Sequence, residues 1–142
     1  MPRVMIADDD EFIRYYLKNL LEYIKFTVVA ECGNGEDIFD VFWESKPDIL
    51  LLDIHMPGIN GDKFLMDNKE FVKDTLVIIL TMSISEEIRH NLEEQGYKYF
   101  LRKNISPTEL IQTIQAIWNE YSEAATASKR SISPSLKCGG WQ

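Results

Sequence analysis

The chain has 142 residues, a net charge of −8 and an ordinary apolar share of 45%, which suits one domain with a full core. No apolar run approaches the roughly 20 residues that a bilayer span needs. An acidic body is also a poor match for phosphate backbones, so membrane and direct nucleic-acid roles are set aside. All 23 acids fall within residues 1–123, while residues 124–142 carry Lys129, Arg130 and Lys137 and no acid. Met1-Pro2-Arg3 runs straight into an apolar strand pattern, so no signal peptide is read and a cytoplasmic location is the default expectation. Cys32 and Cys138 lie far apart and outside any C-x-x-C pair. Neither a disulfide framework nor a cysteine metal site is expected.

The first strand is predicted over residues 3–7. A helix follows, with Phe12, Ile13, Tyr16, Leu17, Leu20, Leu21 and Ile24 at a 3.6-residue period. Residues 27–31 read as strand two, punctuated by Asn34-Gly35. Ile38, Phe39, Phe42 and Trp43 mark helix two, which Pro47 stops. Strand three covers 48–52, and a short third helix covers 61–68. Strand four is 76–80. Ser83 or Ser85 caps helix four, and Gly96 ends it. Strand five is 98–101. Ser106, Pro107 and Glu109 form a capping-box start for helix five, whose inner face is Leu110, Ile111, Ile114, Ile117 and Trp118. The pattern breaks near Ala124, so 124–142 is expected to be a disordered tail, a linker remnant or a scar of expression.

Five strands alternating with five helices predict a doubly wound α/β domain, a flavodoxin-like parallel sheet of order 2-1-3-4-5. In that order the first, third, fourth and fifth strands are neighbours. The polar residues Asp8-Asp9, Asp53, Thr81 and Lys103 stand at their carboxyl ends, the edge where ligands bind in such sheets. Two carboxylates roughly 4 Å apart repel by about 4 kcal/mol at an effective dielectric near 20. Such a cluster makes sense around a hard divalent cation such as Mg²⁺, which takes carboxylates and keeps waters for a phosphate to replace. A carboxylate can act as a nucleophile on phosphorus. Asp53 is the best candidate, Asp8 and Asp9 suit the metal, and Lys103 and Thr81 suit an anionic oxygen. Singly, each has a plainer account. Asp8-Asp9-Asp10-Glu11 would charge the first turn of helix one, Thr81 would cap helix four, and Lys103 would be surface charge.

On these residues the chain resembles the receiver domain of two-component response regulators, over Arg3 to about Tyr121. The resemblance rests on Ile6-Ala7-Asp8-Asp9-Asp10, on Leu52-Asp53-Ile54-His55-Met56-Pro57-Gly58-Ile59-Asn60-Gly61, on Ile79-Leu80-Thr81 and on Phe100-Leu101-Arg102-Lys103. It implies that Asp53 accepts a phosphoryl group from a sensor histidine kinase or a phosphotransfer protein. It implies Mg²⁺ held by Asp9 and Asp53, with Asp8 helping through water and the His55 backbone carbonyl completing the site. Thr81 and Lys103 would hold phosphoryl oxygens, and Thr81 and Phe100 would form the switch that remodels the face of helix four, strand five and helix five for a downstream protein target. Relatives often form homodimers through that face. His55, two residues after the acceptor, occupies a position that in the family influences phosphoryl lifetime. The chain departs from the pattern at Asn104, where proline is common, and at Tyr97, where a small residue is usual. The reading is a signalling switch rather than a turnover enzyme. A haloacid-dehalogenase-like phosphatase would need an acid where His55 stands, and a flavin site would need a phosphate-cradling loop after strand one.

Overall fold

Five parallel strands form one sheet in the order β2-β1-β3-β4-β5. The computed structural model describes the backbone of residues 1–138 and the side chains of residues 1–127. The strands are β1 (Arg3–Ala7), β2 (Thr27–Cys32), β3 (Ile49–Leu52), β4 (Leu76–Thr81) and β5 (Phe100–Arg102). The helices are α1 (Glu11–Tyr23), α2 (Ile38–Ser45), α3 (Gly61–Asp67), α4 (Glu86–Glu94) and α5 (Pro107–Cys138), and a 3₁₀ turn at Gly35–Asp37 leads into α2. Fold class, strand order and helix number match the expectation. Two compact units are present, Met1–Pro107 and Thr108–Gln142. The first holds the whole sheet and α1–α4, and the described part of the second, to Cys138, is α5 beyond its first residue.

The central strands are apolar on both faces, as a covered parallel sheet requires. β3 and β4 are buried at every position. Successive side chains alternate between faces. Met5, Leu50, Leu52, Val77 and Ile79 join Ile38, Phe42, Phe64, Leu65 and Leu92 in one cluster. Val4, Ile6, Ile49, Leu51 and Ile78 alternate to the other side and are also buried. Each fully buried Leu or Ile contributes about 1.5–3 kcal/mol.

Local signals set most of the ends. Asp10 is the N-cap of α1, accepting from the Phe12 and Ile13 N–H groups. Ser85, not Ser83, caps α4, its side chain accepting from the Ile88 N–H. Ser85→Ala is expected to cost about 1 kcal/mol, read as a lower denaturant midpoint at constant slope. Gly96 ends that helix at φ +100. The Tyr97 N–H reaches the Leu92 carbonyl and the Gly96 N–H reaches Glu93, a complete Schellman motif that needs a left-handed residue.

Three features of the structure are not given by the sequence pattern. Phe12 sits on the apolar period of α1 yet is 83% exposed; burial is concentrated one and two turns on, at Leu17 and Leu21. Phe39 and Trp43, on the helix-two pattern, lie outside the buried core. They stay exposed and stack on Phe71, with ring centroids 4.4 and 5.8 Å apart. Third, α5 does not stop near residue 123 but runs to Cys138. Ala124, Ala125 and Ala127 have the highest helix propensity, and the next glycine is Gly139. The remainder of the expected tail, 139–142, lies outside the described residues. Within α5, Leu110, Ile114 and Ile117 are buried at i, i+4 and i+7, and Trp118 stacks on Tyr121 at 6.0 Å. Among the described residues, no helix is long and apolar enough to cross a membrane.

Candidate functional site

Strand ends bring the site together. β1 stops at Ala7 and β3 at Leu52, and these two residues are register partners. The next residues, Asp8 and Asp53, therefore leave adjacent strands at the same level. The Asp53 N–H donates to the Ala7 carbonyl at 2.9 Å, and the Asp8 N–H donates to Cys32 at 2.9 Å. On the far side Thr81 ends β4, and its carbonyl accepts from the Lys103 N–H at 3.1 Å. Backbone pairing thus places all four polar residues before any side chain acts.

Lys103 is the hub. Its ammonium lies 3.0 Å from Asp53 Oδ2 and 2.5 Å from Asp8 Oδ2. All three side chains are nearly removed from water, with 9%, 6% and 3% exposure for Lys103, Asp53 and Asp8. Hydrogen bonds between charged groups in such surroundings are short and strong. The remaining oxygens are also used. Asp8 Oδ1 accepts the Asp10 N–H at 2.9 Å, and Asp53 Oδ1 accepts the His55 N–H at 3.2 Å. Burial pushes the Asp8 carboxyl above its usual pKa, although Lys103 and the Asp10 N–H pull it down. Burial alone would lower the Lys103 ammonium, but the hydrogen bonds it donates to both carboxylates, and their charges, more than offset it, and its pKa is raised. Lys103 is therefore charged across the neutral range.

The acidic run has divided labour. Asp10 caps α1, as the plain account of these acids requires, while Asp8 turns into the site. Asp9 is exposed. Ligand oxygens of Asp8, Asp9 and Asp53 lie within 4.8 Å of one another. Two buried carboxylates and one exposed one give a hard oxygen donor set with an open side, which suits a divalent cation that keeps part of its water.

Two expected residues stand nearby in a different arrangement. Thr81 is buried, but its hydroxyl donates to the Ser83 carbonyl at 3.1 Å. Phe100 is half-buried on β5, and the Arg89 guanidinium of α4 lies 4.7 Å from its ring centroid.

Three contributors escaped the sequence reading. Arg14 donates to the Asp8 carbonyl at 2.6 Å and to Glu31 at 3.2 Å, bracing the strand end that carries Asp8. Its signal is weak, a basic residue one turn past the acids on a helix read only for its apolar face. Gly35 lies beneath the loop that follows Asp53, with its N–H donating to the Pro57 carbonyl at 3.0 Å. A Cβ there would lie 1.6 Å from the Ile59 carbonyl oxygen. Ser83 contributes a backbone carbonyl, which no side-chain pattern announces.

The model of the response regulator receiver domain matches residues 4–115. The chain belongs to this family. This receiver is 30% identical over 117 residues to protein CcdB of Bacillus subtilis (strain 168), covering 82% of this chain and 98% of CcdB. It is 28% identical over 120 residues to the response regulator UvrY of Escherichia coli (strain K12), covering 84% of this chain and 55% of UvrY. The chain thus spans about half the length of that relative. Among solved structures, the CheY-like receiver domain protein of Methanospirillum hungatei JF-1 superposes with a TM-score of 0.79, covering 87% of this chain and 98% of that one. Its 21% identity makes it a likeness of fold. The receiver is thus a component of two-component signalling.

Proposed function

We propose that this receiver is a phosphorylation switch whose acceptor is Asp53. The observation that carries the reading is Lys103, a buried ammonium within hydrogen-bond reach of both Asp53 and Asp8. The donor is the phosphohistidine of a sensor histidine kinase or a phosphotransfer protein. The Asp53 carboxylate attacks phosphorus, an O–P bond forms, and the P–N bond breaks with its electron pair leaving on the imidazole. Lys103 offsets the charge on the transferring oxygens, and the Asp53 N–H bond to Ala7 holds the acceptor at the strand end. Asp8, Asp9 and Asp53, with the His55 backbone carbonyl, would hold Mg²⁺, which supplies charge neutralisation for phosphoryl transfer. The Thr81 hydroxyl then exchanges the Ser83 carbonyl for a phosphoryl oxygen, and Phe100 follows into the vacated space. The changed surface of α4 and β5 is read by a downstream protein. Water attack on the aspartyl phosphate returns carboxylate and inorganic phosphate. The chemistry is confined to the receiver's own side chain, and a cytoplasmic site of action fits a kinase donor.

A second reading is the receiver portion of a longer regulator, favoured by the 55% coverage of UvrY. Both readings share the test. Incubation with an acyl phosphate and Mg²⁺ is expected to add one phosphoryl group by intact mass. The addition should vanish without Mg²⁺ and in Asp53→Asn. A folded wild-type protein that takes no phosphoryl group would overturn the proposal and leave a phosphorylation-independent binding module.

A further inference from the structure

One backbone carbonyl receives two donors from opposite sides of the site. Ser83 O accepts the Thr81 hydroxyl at 3.1 Å and lies 3.1 Å from His55 Nε2. The acceptor is a carbonyl oxygen, so Nε2 carries the proton and donates. A carbonyl has two lone pairs, and both are used here. The same His55 also gives its backbone N–H to Asp53 Oδ1. Asp53, His55, Ser83 and Thr81 are therefore linked in one chain of hydrogen bonds that joins the loop after β3 to the loop after β4. We infer that His55 is a positioning residue for Thr81. Its ring anchors the Ser83 carbonyl, and the anchored carbonyl keeps the Thr81 hydroxyl turned away from Asp53.

The physical basis is competition for one hydroxyl proton. Thr81 has one O–H to give. While Ser83 O stays fixed at 3.1 Å, donation to an oxygen on Asp53 requires that bond to break. His55 adds a second tie that holds the loop in the resting position. The ring is exposed, so its removal leaves no cavity in the core, and the link can be cut without unfolding the domain. The role rests on the switch reading of Thr81, but the anchor itself is a property of the unphosphorylated protein and can be tested there.

The test compares His55→Phe, which keeps an aromatic ring without a donor, with His55→Gln, whose amide nitrogen can reach a similar place. Amide hydrogen exchange over residues 82–85 is read first, without phosphodonor. His55→Phe is expected to speed exchange about two- to tenfold, the range that one net hydrogen bond spans, and His55→Gln to restore protection. Unchanged exchange in His55→Phe, or faster exchange that His55→Gln does not restore, would overturn the anchor. Phosphoryl uptake from an acyl phosphate is read second. It should be faster in His55→Phe by a similar factor and near wild type in His55→Gln. Uptake unaltered in both, with exchange altered as expected, removes the coupling to Thr81 and overturns the positioning role. Absence of uptake in the wild type rejects the switch reading itself and is recognised separately, because the exchange result does not depend on it.

Discussion

Replacing Lys103 with Met is expected to lower folding stability by about 3–5 kcal/mol at neutral pH, the cost of stripping a buried charge of its partner. The methionine keeps much of the apolar stem and loses the ammonium. Asp8 and Asp53, each nearly buried and both bonded to that ammonium, are left facing one another. The measurement is a denaturant midpoint at constant slope. Two conditions should reduce the deficit. Millimolar Mg²⁺ should restore part of it by neutralising the same oxygens. Acid should also restore part of it. The Asp8 carboxyl is already raised above 3.8 in the folded wild type, so the native state holds that proton more tightly than the unfolded chain does. Loss of the Lys103 hydrogen bond raises it further, and stability then improves as pH falls through that window. The wild type shows a dependence of the same sign at high pH. Lys103 is raised above 10.5, so its contribution is complete below that value and is lost as pH climbs through the folded one. A deficit in Lys103→Met that ignores both pH and Mg²⁺ would assign the loss to packing of the stem instead.

Gly35→Ala should damage fold and site together. The new methyl would meet backbone on three counts, 1.6 Å from the Ile59 oxygen, 2.5 Å from its carbon and 2.9 Å from its nitrogen. No flexible side chain can swing aside, so the loop after Asp53 must move. Overpacking of this kind costs about 1–3 kcal/mol, and the fixed Gly35–Pro57 hydrogen bond adds to the upper end. That loop begins at the proposed acceptor, so uptake of a phosphoryl group should fall by more than the loss of folded protein accounts for. Thermal melting and single-turnover phosphorylation on the same sample separate the two. A variant that melts early but labels normally per folded molecule would place Gly35 in the scaffold alone.

Much of this architecture is legible in the sequence. Apolar runs of four or five residues bounded by polar residues mark β1, β3 and β4, and the alternation with helical periods sets the topology. The positions of Asp8, Asp53 and Lys103 follow, because strand ends are local features and a parallel order aligns them. What is hidden depends on contacts between distant segments. Gly35 reads as turn punctuation until the loop at Ile59 is seen lying on it. The orientation of the Thr81 hydroxyl depends on the Ser83 carbonyl, a group every residue carries. Phe39, Trp43 and Phe71 illustrate the limit of periodicity. An aromatic on the expected stripe of α2 can satisfy itself by stacking on a ring from another segment as well as by facing the sheet.

The sheet is also finished at its margins in a way that bears on assembly. β5, the outermost strand on one side, has only three residues and ends in the exposed Arg102. β2, outermost on the other, pairs with β1 through an irregularity between Val4 and Met5 and carries the exposed Glu31. Short, charged or bulged margins discourage a second copy from continuing the ladder. At the β5 margin, contact through side chains is therefore favoured over strand addition. Affinity there can then be set by a few residues without exposing the sheet to open-ended polymerisation.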